Sequence, residues 1–167
     1  EVAHRRFEPP PAQLFSRRGE QGQVVLVTGT APGEGKTTTL LNVAKLLAVS
    51  GESVVVVDCD LRRANLHLRL NVPREPGLTD YFVKNAEIAS LVRTTRIQNL
   101  SAIAAGPLPP NPPAILARPE LGEVLAQLKQ QYRWVLVDSP PVAAVTDALL
   151  LAQRADATLL VVQQNKV

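Results

Sequence analysis

The sequence predicts an α/β fold of three layers, with a mostly parallel central sheet covered by helices on both faces. Three observations carry that prediction. The apolar runs Val24–Val27, Val54–Val57 and Val135–Val137 read as strands buried on both sides. Stretches with helical apolar spacing alternate with them. Each run also ends in glycine-rich or acidic sequence, and open parallel sheets bind ligands at the carboxyl ends of their strands.

Taken in order, residues 1–22 are expected to form a flexible arm, because Pro9-Pro10-Pro11 interrupts any helix and no apolar periodicity follows. One folded domain is expected over 23–167. Its first strand spans 24–28, and a loop over 29–35 leads into a helix over 36–49. There Leu40, Val43, Ala44 and Leu47 form one stripe and Gly51 a C-cap. A second strand over 53–58 precedes a short helix near 63–69 and a Pro/Gly-punctuated loop over 72–77. Thr79 is the expected N-cap of a short helix through Val83, and a further helix falls near 86–92. A strand over 100–105 ends at Gly106. Asn111-Pro112 then reads as N-cap and first turn of a helix over 112–117. A helix over 119–132 buries Leu121, Val124, Leu125 and Leu128, and a strand over 134–138 follows. Thr146-Asp147 opens a helix to about Arg154, and the last strand covers 158–163. With no covering helix after that strand, the domain is expected to be truncated at its carboxyl end.

The bulk numbers exclude several classes. The 167 residues suit one core, and 46% hydrophobic content is too high for a disordered chain. No apolar run approaches the roughly 20 residues that cross a bilayer. The polar amino terminus shows no signal peptide, and the single cysteine, Cys59, allows no internal disulfide. A cytoplasmic location is expected. The net charge of +3 comes from scattered basic residues in a chain that is 4% aromatic, so no nucleic-acid partner is expected.

The chemistry lies in three motifs. Ala31-Pro32-Gly33-Glu34-Gly35-Lys36-Thr37-Thr38 sits between a strand and an amphipathic helix. Glycines there let backbone N–H groups converge on a polyphosphate, with the helix N-terminus adding positive potential. Lys36 would reach the β/γ-phosphates and Thr37 would ligate Mg²⁺. The standard pattern has glycine six residues before the lysine, where this chain has Thr30. The second motif places Asp58 and Asp60 at alternate positions, on one side of a strand end. There a carboxylate can hold a magnesium-bound water or take a proton from an attacking hydroxyl. Asp138 is the third, a magnesium-side carboxylate at the end of a neighbouring strand. Arg62 and Arg63 read as solvated helix-start arginines, with contact to phosphate or a neighbouring subunit as the alternative, Cys59 as a small buried apolar residue, and Trp134 as a packing anchor. His4 and His67 lack metal-ligand spacing.

These residues resemble the cytoplasmic domain of bacterial tyrosine kinases, which regulate capsule and exopolysaccharide synthesis and export. Ala31–Thr37 is similar to their Walker A motif, Val57–Arg63 to Walker A′, and Asp138–Val142 to Walker B, running on to Thr146-Asp147. Gly77-Leu78-Thr79-Asp80-Tyr81 and the segment Ala105–Pro112 match further loops. The resemblance implies a P-loop fold and an ATP- and Mg²⁺-dependent protein-tyrosine kinase. It implies that residues 31–38 hold ATP, that Thr37, Asp60 and Asp138 hold the metal, and that Lys36, Asp58 and Asp60 are catalytic, with Asp58 the general base. Partners implied are a tyrosine-rich tail of a neighbouring copy or a substrate protein, and a transmembrane activator. Homo-oligomers and a position at the inner face of the plasma membrane are also implied. Partitioning ATPases carry lysine where this chain has Ala31, which favours the kinase branch. Ala64 stands where the family has proline, and Glu1, Arg5 and Arg6 lack the spacing of its ring-forming helix. Only Tyr81 and Tyr132 occur, so no tyrosine tail is present in this sequence. The competing readings are a partitioning-type ATPase switch and a catalytically weak nucleotide-binding scaffold.

Overall fold

The computed structural model describes residues 22–142 and 146–163. The arm expected over 1–22 lies outside them except for Gly22, which is buried and whose N–H donates to the Lys129 carbonyl at 3.3 Å. The elements run β1 (Gln23–Gly29), α1 (Lys36–Val49), β2 (Val54–Asp58), α2 (Leu66–Leu70), α3 (Leu78–Lys84), α4 (Ile88–Leu91), β3 (Arg93–Thr94), β4 (Leu100–Ile103), α5 (Pro112–Leu116), α6 (Glu120–Gln131), β5 (Trp134–Asp138), α7 (Asp147–Ala152) and β6 (Ala157–Val161). Six strands form one sheet in the order β3-β4-β2-β5-β1-β6. All neighbours are parallel except β3 against β4. The three-layer α/β expectation therefore holds.

The pleat explains why the central strands are apolar throughout. Val24, Leu26, Val55, Val57, Val135 and Val137 enter one core with Leu121, Val124, Leu125 and Leu128 of α6 and Leu151 of α7. Their alternates Val25, Val27, Val54, Val56, Trp134 and Leu136 enter the other with Leu40, Val43, Ala44 and Ala48 of α1. Side chains of period two facing two covered surfaces leave no polar position in the strand. Trp134 is buried, as a packing anchor should be, with the Arg133 guanidinium 5.7 Å from its ring centre.

Local departures have physical causes. The helix expected to be capped by Thr79 starts two residues earlier, with Gly77 as N-cap. The Gly77 N–H donates to Asp80 Oδ2 at 2.8 Å, while the Thr79 hydroxyl donates to the Pro107 carbonyl at 2.7 Å. Only glycine fits there, because a Cβ would lie 2.2 Å from the Gly106 nitrogen. The strand expected over 100–105 ends at Ile103 because the Ala104 and Ala105 carbonyls accept from the N–H groups of Leu78 and Thr79. The helix expected near 63–69 begins only at Leu66, since the preceding turn is bound to Asp58. The short edge strand β3 was not expected, because two residues are too few for any period to show.

Strand register places the chemistry. Asp138 ends β5 opposite Val27 of β1 and opposite Asp58 of β2. The loop after β1, the turn after β2 and the end of β5 therefore lie together at the carboxyl edge of the sheet.

Candidate functional site

The loop between β1 and α1 is held open from within. Gly33 and Gly35 take left-handed backbone angles, φ 78° and 89°, which glycine adopts without a Cβ penalty. Glu34 turns back: its Oε2 accepts from the Thr30 and Ala31 N–H groups at 2.7 and 2.9 Å, and its Oε1 from the Thr30 hydroxyl at 2.6 Å. The Ala31 N–H and the other donors hold its carboxyl below the usual range. So Glu34, expected among the phosphate-binding residues, spends its side chain bracing the loop and can offer a ligand only its backbone. Gly29 lets that brace approach, since a Cβ there would lie 2.8 Å from Glu34 Oε2. Thr30, in the standard glycine position, supplies two of the donors that grip Glu34. Lys36 is buried at the head of α1 and its Nζ donates to the Ala31 carbonyl at 3.3 Å.

Across the loop, the Thr37 hydroxyl donates to Asp138 Oδ2 at 2.7 Å. The other carboxylate oxygen, Asp138 Oδ1, is buried without a hydrogen-bond partner. A hydroxyl and a carboxylate so paired, with one buried oxygen uncommitted, suit a magnesium ion, which takes one or two protein oxygens and fills its shell with phosphate and water. Among the described residues no three His, Cys, Asp or Glu side chains gather as a metal cage.

The two aspartates after the valine run separate. Asp58 is fully buried, its Oδ1 accepting from the Asp60 N–H at 3.2 Å and its Oδ2 from the N–H groups of Asn65 and Leu66. Asp60 stands in the wall of the cleft, its Oδ1 accepting from the N–H groups of Arg62 and Arg63. The expectation that both face the ligand side holds for Asp60; Asp58 lies behind it. Burial first, and then the charge of Asp138, push Asp58 up to about 7. Burial likewise raises Asp138 to about 6, against the lowering effect of the Thr37 hydroxyl. Cys59 between the aspartates is fully buried in the α6-side core, and burial pushes its thiol up.

The cleft holds about 510 Å³. The phosphate loop from Pro32 to Thr38 forms one side, and Asp60, Arg62, Arg63, Asn65 and Arg69 form the other. Arg62 was read as solvated, but its Nε and Nη2 donate to the two oxygens of Asp147 at 2.8 and 3.2 Å. Asp147 is fully buried. This fork ties the turn after β2 to the start of α7. Arg69 Nη1 donates to the Thr38 hydroxyl at 3.0 Å. Sequence reasoning missed the Arg62–Asp147 pair and the Glu34 brace. The acidic residue at Thr146-Asp147 was visible, but nothing marks a partner 85 positions away.

A family model described as an AAA domain matches residues 22–167. The chain is 36% identical over 147 residues to tyrosine-protein kinase wzc of Salmonella typhimurium, covering 88% of this chain and 20% of that protein. It is 33% identical to tyrosine-protein kinase YwqD of Bacillus subtilis, covering 91% of this chain and 64% of that one. The VpsO kinase domain superposes with a TM-score of 0.81 at 33% identity, covering 89% of this chain and 73% of that one.

The chain belongs to the bacterial tyrosine-kinase family of P-loop AAA domains.

The kinase domain of the Escherichia coli tyrosine kinase ETK superposes equally well, with a TM-score of 0.81 at 31% identity over 84% of this chain and 55% of that one. The cell-division ATPase MinD of Pyrococcus furiosus is a more distant neighbour, at 28% identity and a TM-score of 0.72. As a P-loop domain of this family the chain is a nucleotide-binding protein. It spans about a fifth of the length of wzc and about two thirds of YwqD. Among the described residues no helix is long and apolar enough to cross a membrane.

Proposed function

We propose that this domain transfers the γ-phosphoryl group of ATP to tyrosine, with Mg²⁺, as part of the control of capsular or exopolysaccharide synthesis and export. The observation that carries the reading is that Asp60 lines the cleft across from the Lys36-Thr37 loop while Asp58, buried behind it, has the raised proton affinity that suits a carboxylate taking a proton from an attacking hydroxyl. Residues 31–38 would hold the triphosphate, their free backbone N–H groups from Gly33 onward cradling it and Lys36 lying against its β/γ-phosphates. Thr37 and Asp138 would hold the metal, with Asp60 on its cleft side. The ion would offset charge on the bridging and γ-phosphate oxygens.

In the transfer, the phenolic oxygen of tyrosine forms the new P–O bond while the bond from the γ-phosphorus to the bridging oxygen of ADP breaks. The phenolic proton passes to a carboxylate. Asp58, at about 7, has a proton affinity matched to that task near neutral pH. To reach the hydroxyl it must exchange its Asn65 and Leu66 N–H partners, and Asp60 lies closer to the cleft. The acceptor is a tyrosine-rich segment of another copy or of a substrate protein, and a transmembrane activator holds the domain at the inner face of the membrane.

Incubation with γ-labelled ATP and Mg²⁺, with and without a tyrosine-rich peptide, tests the proposal. Label on tyrosine is the expected result. Free phosphate without labelled tyrosine would favour a partitioning-type ATPase, which Ala31 argues against. Tight ATP binding with neither product would favour a scaffold. Lys36→Ala and Asp58→Ala should each remove most transfer, and undiminished labelling in Asp58→Ala would sink the base assignment.

A further inference from the structure

The far wall of the cleft carries three arginines, Arg62, Arg63 and Arg69. Arg62 is committed to Asp147. Arg63 is exposed, and its side chain has no partner among the described residues. Its backbone is fixed, however, because its N–H donates to Asp60 Oδ1 at 3.0 Å. Arg69, on α2, is also exposed and, among the described residues, donates only to the neutral hydroxyl of Thr38. Two exposed guanidinium groups thus line the cleft without an ion-pair partner among the described residues, and the carboxylate in that wall, Asp60, has one oxygen tied to the backbone of the Arg62-Arg63 turn. The loop opposite already supplies Lys36, backbone amides and the positive end of α1 for phosphate.

We propose that Arg63 and Arg69 select acceptor segments that carry acidic side chains beside the tyrosine. The inference rests on the kinase reading above and adds the class of acceptor. A segment that presents its hydroxyl towards Asp60 lays its flanking residues along the turn and α2, where both arginines project. Guanidinium groups bind carboxylates through paired N–H donors, which a lysine ammonium cannot reproduce. The same charges repel a basic segment, so the wall discriminates in both directions.

The test is binding of two fluorescent peptides, one tyrosine flanked by glutamates and the same tyrosine flanked by lysines. Binding is read by anisotropy with Mg²⁺ and a non-hydrolysable ATP analogue present. The unaltered chain should prefer the glutamate peptide by about tenfold at low salt, and the preference should shrink as ionic strength rises. Arg63→Glu with Arg69→Glu should reverse the preference while lowering analogue affinity by less than it lowers affinity for the glutamate peptide. Arg63→Lys with Arg69→Lys, a milder pair in case the charge reversal unfolds the chain, should retain a weaker preference of the original sign. Equal affinity for the two peptides, or a preference untouched by the charge reversal, overturns the proposal. So does a fall in analogue affinity as large as the fall in peptide affinity, which would assign the arginines to the triphosphate. A chain that keeps the peptide preference but labels no tyrosine overturns the kinase reading and leaves the acidic selection standing.

Discussion

Arg62→Ala is expected to cost more stability than Asp147→Asn, although both break the same ion pair. The reason is where each charge lies. The Asp147 side chain is 0% exposed and that of Arg62 is 40% exposed. Removing the arginine strands a buried carboxylate without the two donors that reach it at 2.8 and 3.2 Å. Breaking a buried pair costs roughly 3–5 kcal/mol, and water admitted on the Arg62 side reduces that to about 2 kcal/mol. Asp147→Asn removes the charge, keeps one acceptor, and leaves an arginine that water can solvate, so about 1 kcal/mol is expected. The double variant no longer contains a stranded charge and should be more stable than Arg62→Ala alone. Urea unfolding at pH 7.5 in the absence of nucleotide reads all three. With a slope of about 2 kcal/mol per molar urea, Arg62→Ala should move the midpoint down by about 1 M. A double variant no more stable than Arg62→Ala, or a coupling energy below about 0.3 kcal/mol, would refute the reasoning and leave the fork a surface contact.

Asp58 and Asp138, raised to about 7 and about 6, hold protons in the folded chain that the unfolded chain releases near pH 4. In EDTA the stability that these two carboxyls contribute should therefore be full near pH 4 and be lost as pH rises through 6 and 7, Asp58 alone accounting for roughly 4 kcal/mol. Thermal melts from pH 4 to 8.5 check this, and rising stability over that span would contradict it. Gly77→Ala should destabilise by more than about 3 kcal/mol or prevent folding, because its Cβ would meet backbone atoms of Ala104 and Gly106 at 2.6 and 2.2 Å. Expression and urea midpoint are the readouts. Glu34→Ala should loosen the loop and weaken ATP-analogue binding about tenfold by calorimetry, while α1 and the core keep the overall melting temperature within a few degrees. An unchanged affinity would mean that the brace is dispensable.

The fold was readable because its core strands advertise themselves. Val54–Val57 and Val135–Val137 have no polar position, and the α6 stripe from Leu121 to Leu128 has the helical period in full. Phosphate-loop chemistry was equally legible, since Gly33, Gly35 and Lys36 act through local backbone geometry. What stayed hidden acts across the chain. Glu34 looks like one more cradle residue until its carboxylate is seen gripping Thr30 and Ala31. Arg62 looks solvated until α7 brings Asp147 to it. The Asp58/Asp60 pair was read by strand alternation, but β2 ends at Asp58, so the alternation does not extend to Asp60, which belongs to a turn. A two-residue strand such as β3 leaves no pattern at all.

The register of β2 against β5 has a consequence for how this protein can change over evolutionary time. The two strands are both five residues long, start opposite each other at Val54 and Trp134, and finish opposite each other at Asp58 and Asp138. Strand length thus acts as a ruler that brings two carboxylates to the same height. Losing or gaining one valine within 54–57 would displace Asp58 by about 3.3 Å and turn it to the opposite face of the sheet. Connections at the far end of the strands, such as Ser50–Ser53, can vary in length without moving either carboxylate. The spacing from the strand starts to Asp58 and Asp138 is therefore the part of this sequence least free to drift.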